Sequence, residues 1–194
     1  MQRDQAPGNV GQERSPAAAA RLYGAATTVL TEVDELYSSG SITQAADTVL
    51  NQLLPVLDQL DALAPPDQDS RTAHVHTRAA MALSDCAAAL VDQKGSRAVE
   101  QAREWYSAAL RLVVDEPTTC HVWGKLWDVN AMTDKLTRYE EELAHLARTG
   151  EMHLAREVLV DLLYETRGTG WRNDVLQMWV NLCAASGLPP SLGE

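Results

Sequence analysis

Apolar residues recur at helical spacing through most of the chain, from Ser15 to Gly187, and glycines and prolines cut the pattern into segments. The stretch Ile42, Ala46, Val49, Leu53, Val56, Leu60, Leu63 alternates steps of four and three, which lays one apolar stripe along a helix. No segment alternates polar and apolar positions long enough to propose a strand. The spacing predicts an all-α protein of about seven helices, arranged as three antiparallel helical hairpins plus a C-terminal helix.

The first helix is predicted over 16–38, opened by Ser15 as N-cap and Pro16 at the first helical position, where a missing N–H is harmless. Gly40 ends it in the left-handed conformation, and Ser41-Ile-Thr-Gln44 reads as a capping box for the second helix, 42–63, which Pro55 should kink or split near Leu54. Ser70 is expected to cap the third helix, 71–93. The fourth, 97–114, follows Gly95-Ser96, and Pro117 closes that hairpin. The fifth, 119–148, carries Val122, Leu126, Val129, Met132, Leu136, Tyr139, Leu143 and Leu146, with a possible break near Asn130. Gly150 separates it from helices at 151–166 and 171–186. The domain reading is a disordered tail over 1–14, a single all-helical domain over 15–187 and a short tail over 188–194.

Gly40, Gly95 and Gly150 are spaced by 55 residues and fall at the three hairpin turns, which suggests a repeated helix–turn–helix unit. Gly150 and Ala155 correspond to the turn glycine and small packing residue of a tetratricopeptide-type repeat. Ala102, Tyr106 and Ala109 correspond to the alanine, aromatic and alanine of its second helix. Over about half of its length the chain thus resembles that family, although its unit is longer and lacks the family's first-helix tryptophan, leucine and glycine pattern. The resemblance implies a right-handed array of helices with a concave peptide-binding face.

Charge narrows the partners. Sixteen basic and twenty-seven acidic residues give a net charge of −11, which disfavours nucleic acid and anionic membranes. Residues 16–69 hold Arg21 as their one basic side chain, whereas all five tryptophans lie beyond residue 100. Cys86, Cys120 and Cys183 are odd in number and far apart, so a disulfide framework is not expected. The first residues have no apolar core of a signal peptide, and no run approaches a membrane span; a cytoplasmic location is expected. Phenylalanine is absent, so leucine, valine, alanine and tryptophan must fill the core.

Candidate chemistry is sparse. Glu142-Leu-Ala-His145 has the E-x-x-H spacing of carboxylate-bridged metal bundles, but no second such pair exists to complete a site. His74 and His76 point about 200° apart on a helix and cannot share a metal. Cys120-His121 sits at a helix start, where partial charges favour a thiolate, yet adjacent side chains diverge. No phosphate loop, dinucleotide fingerprint or nucleophile elbow occurs.

Trp123 and Trp127 widen the apolar arc of the fifth helix to about 160°, which implies burial on two sides or a partner. The favoured function is a helical-repeat adaptor, without catalysis, cofactor or metal. It would bind a peptide or protein partner through Trp123, Trp127, Tyr139 and Trp171. Two alternatives stand beside it. One is a structural subunit of a homo-oligomer, and the other is a small helical-bundle metal enzyme using Glu142 and His145.

Overall fold

The computed structural model describes residues 16–189. The expected N-cap Ser15, the tail over 1–14 and residues 190–194 of the tail predicted over 188–194 lie outside the described residues. Among the described residues every regular element is helical. They are α1 (Pro16–Ser38), α2 (Ile42–Thr48) running through a π-helical turn (Val49–Leu53) into α3 (Leu54–Leu63), α4 (Ser70–Lys94), a 3-10 turn (Gly95–Ala98), α5 (Val99–Leu112), α6 (Glu116–Thr149), α7 (Met152–Glu165) and α8 (Trp171–Ser186).

The second predicted helix is interrupted where Pro55 predicts a kink or split: α-helical winding stops at Thr48, passes through the π turn and resumes at Leu54. Proline has no N–H for the carbonyl four residues back, and its ring crowds that carbonyl. The chain absorbs Pro55 in one wide turn just ahead of it, where the Leu54 N–H donates to the Val49 carbonyl, five residues back. Ile42, Ala46, Val49, Leu53 and Leu60 of the predicted stripe are buried, but the extra residue of the wide turn moves the buried line from Val56 to Leu57, and Val56 and Leu63 are left half-buried.

Several predicted caps are relocated. Ser41 makes no capping hydrogen bond with its side chain; the turn is closed instead by the Gly40 N–H on Tyr37 O and the Ser41 N–H on Leu36 O, with Gly40 at φ 80°. Gly150 repeats this geometry, donating to Ala147 O while the Glu151 N–H reaches Leu146 O. Gly95 does not: its φ of 62° and ψ of −138° turn the chain into the 3-10 segment before α5. Asp69, not Ser70, caps α4, with Oδ1 accepting the N–H groups of Arg71 and Thr72. Pro117 opens α6 rather than closing the hairpin, because Asp115 Oδ1 accepts the Thr118 N–H.

The long helices set the plan. α4 and α5 form a tight hairpin, with Ala79, Ala80, Leu83, Ala87 and Leu90 of the first and Ala102, Tyr106 and Ala109 of the second buried. α1, α2 and α3 pack on one side of it, and His76 of α4 ties the layers: Nε2 lies 2.8 Å from Asp61 Oδ1 of α3 and Nδ1 3.3 Å from the Leu112 carbonyl of α5. α6, at 34 residues and about 51 Å, is the spine of the other side. It runs unbroken through Asn130, whose Oδ1 accepts two hydrogen bonds from the Arg103 guanidinium on α5. α6 packs on α4 and α5 and also on α7 and α8, and the Lys135–Glu165 ion pair to α7 marks the change of neighbours.

Candidate interaction surface

α6 has one buried edge. Thr118, Val122, Val129, Leu136 and Leu143 are the buried residues of that helix and fall along one line of its surface. Trp123 and Trp127 project from nearly the opposite side, one turn apart, and remain 55% and 74% exposed. They are the largest exposed rings among the described residues. Each solvent-facing ring gives up the burial that stabilises a core tryptophan by about 1.5–3 kcal/mol.

The other three tryptophans fill the core, at 3% exposure for Trp105, 5% for Trp171 and 6% for Trp179. Trp171 is therefore not a surface anchor. It opens α8, where Gly170 sits against the α4–α5 turn and carries the ring inward with it. Tyr139 is partly buried and packs on the core side of α6. The four candidate anchors are not one surface: Trp123 and Trp127 share a face, and Tyr139 and Trp171 belong elsewhere.

Glu142 and His145 are both exposed on the outer side of α6. Among the described residues no group of three histidine, cysteine, aspartate or glutamate side chains is placed to hold a metal ion. Cys120 is exposed and stands beyond the first turn of α6, which begins at Glu116. The adjacent His121 has its Nε2 enclosed and without a hydrogen-bond partner among the described residues. Burial raises the carboxyl of Asp85 on α4 from its ordinary range, and the charges of His121 and Lys125 draw it back.

One concavity was not legible from the stripe alone. An open groove of about 610 Å³ runs between the C-terminal parts of α6 and α8, floored by Leu143, Ala147, Met152, Met178 and Leu182 and edged by Leu188. Met178 and Leu182 belong to the apolar stripe of the last helix, so nothing in their spacing separates a groove wall from a closed core. The Trp123/Trp127 face, in contrast, does have a sequence signal. It is a second line on the same helix, Glu116, Cys120, Trp123, Trp127, Asp134, in steps of four, three, four and seven.

Among the described residues no helix is long and apolar enough to cross a membrane. In comparisons with known proteins, no family model, no curated protein and no solved structure matches the chain.

Proposed function

We propose that this chain is a helical protein–protein interaction module that captures a peptide or protein partner on the tryptophan face of α6. The observation that supports the reading is the pair Trp123 and Trp127, 55% and 74% exposed, one turn apart on a helix whose opposite edge is buried. Tryptophan is the residue most enriched where binding energy concentrates, since a large rigid ring gains apolar burial at little entropic cost. A rigid helix presents such a pair without a folding penalty on binding. In this reading the α4–α5 hairpin and the layers around it hold α6 straight, and the setting is cytoplasmic. The reading carries no catalytic step and no cofactor.

The test is a photo-crosslinking residue placed at the exposed Ala131, one turn past Trp127, in the intact protein expressed in its source cell. The expected outcome is one discrete crosslinked species that disappears when Trp123→Ala and Trp127→Ala are combined, with the circular dichroism of the double variant unchanged. Crosslinking that ignores the two tryptophans, or none at all, refutes the proposal.

A further inference from the structure

We infer that the tryptophan face of α6 receives a basic amphipathic helix from another protein, and not a second copy of this chain. The inference rests on the interaction reading above and names the partner chemistry of that same surface. At about 100° per residue, Glu116, Cys120, Trp123, Trp127 and Asp134 lie within roughly 60° of one another on α6. All five are exposed. The order along the ridge is acid, apolar centre, acid. Glu116 stands two turns before Trp123 and Asp134 two turns after Trp127, so the carboxylates are about 27 Å apart and equally far from the middle of the tryptophan pair.

Neither carboxylate is ion-paired within the described residues. The nearest cation along the same line, Arg138, lies one turn beyond Asp134 and directs its Nε to the Asp134 backbone carbonyl at 3.4 Å. Glu141 follows it, so the face stays acidic.

This symmetry decides between occupants. Two copies of α6 pairing antiparallel, with their tryptophans interleaved, set Glu116 of each beside Asp134 of the other. Parallel pairing sets each carboxylate beside its own equivalent. Either arrangement places two like-charge contacts around the apolar centre, and the net charge of −11 adds repulsion at longer range. A helix with an apolar centre and a lysine or arginine at each end meets the same surface with two attractive contacts. A helix also fits the shape, because Trp123 and Trp127 form a straight i, i+4 ridge that a groove between side-chain rows can accept.

The test uses the full chain and two synthetic amphipathic peptides with the same leucine and alanine centre, one with lysines eighteen residues apart and one with glutamates there. Binding is read by fluorescence anisotropy of labelled peptide at physiological salt. The lysine peptide should bind about tenfold tighter than the glutamate peptide. Glu116→Lys with Asp134→Lys should reverse that preference, and Trp123→Ala with Trp127→Ala should abolish binding of both. Equal binding of the two peptides, no binding of the lysine peptide, or an unchanged preference in the charge-reversed variant overturns the inference. So does sedimentation showing a dimer that the tryptophan substitutions disperse. If charge reversal does nothing while the crosslink at position 131 still requires the tryptophans, the charge inference fails and the interaction reading stands. If that crosslink ignores the tryptophans, the reading itself fails.

Discussion

Gly95 and Gly170 meet backbone to backbone, and neither has room for a side chain. The Gly170 N–H donates to the Asp92 carbonyl at 2.5 Å, and a Cβ on Gly95 would lie 2.8 Å from the Gly170 carbonyl oxygen. Ser96 completes the junction: its N–H and hydroxyl donate to the two oxygens of Asp174, at 2.8 and 2.6 Å. The start of α8 is thereby fixed to the turn of the α4–α5 hairpin, which closes the C-terminal helices onto the rest of the molecule.

Replacing Gly95 by alanine should therefore cost at least about 2 kcal/mol, combining a strained positive φ with a backbone clash. Gly40→Ala is the control, since Gly40 also has positive φ but open space around it, and should cost only about 1 kcal/mol. Urea denaturation of both variants checks this. Equal losses would mean that the junction gives way cheaply.

Leu53 closes the π turn ahead of Pro55 and is fully buried. Leu53→Ala should destabilise the protein by about 2–5 kcal/mol. A loss under about half a kcal/mol in the same assay would show that the wide turn can collapse around the cavity.

The all-helical class and the turns marked by glycine were legible because apolar period and glycine are local signals, whereas Pro117, read as a stop, opens α6. Gly40, Gly150 and Gly187 each end a helix where the spacing stops. What the spacing could not show was which polar residue caps a helix. Ser70 and Asp69 are neighbours, and the choice falls to Asp69, whose extended backbone aims its carboxylate at two free N–H groups. Distant pairing was equally hidden: nothing local marks Gly95 and Gly170 as partners, because their fit depends on where α8 returns. The interaction face was half legible. The width of the apolar arc on α6 was visible, but a phenylalanine-free sequence gives tryptophan a core role too, and Trp105, Trp171 and Trp179 take it.

The three thiols should separate by access. Cys86 and Cys183 are buried and Cys120 is exposed; burial pushes the Cys86 thiol up to about 12. An aromatic disulfide reagent at neutral pH should titrate one cysteine in the native protein and all three in denaturant, and Cys120→Ser should remove the native reaction. A second fast native thiol would contradict the packing of α4 or α8.

Asp69 and Asp115 are held below the usual carboxylate range, first by the backbone N–H of Thr72 and of Thr118 respectively. A lowered folded pKa stabilises the fold at pH values above the unfolded value of about 3.9, and that contribution disappears as pH falls through the folded value. Asp69→Asn with Asp115→Asn keeps a capping oxygen but removes the ionisable group, so stability at neutral pH should fall toward the acid value of the wild type while the acid limb below about pH 4 flattens. An unchanged acid limb in thermal melts would show that other carboxylates govern acid unfolding.

The tryptophans give the sharpest separation between scaffold and surface. Trp171 is 5% exposed and belongs to the core, so Trp171→Ala should cost about 3–5 kcal/mol. Trp123→Ala and Trp127→Ala remove rings that face solvent and should each change stability by no more than about 0.5 kcal/mol. Acrylamide quenching reads the same difference spectroscopically. The wild-type protein should show a readily quenched, red-shifted component and a protected one, and the double substitution at 123 and 127 should remove the first and leave the second. Retention of the quenchable component would place the exposed ring elsewhere. A large stability loss from either surface substitution would mean that the face of α6 proposed to meet a partner is already packed within the chain.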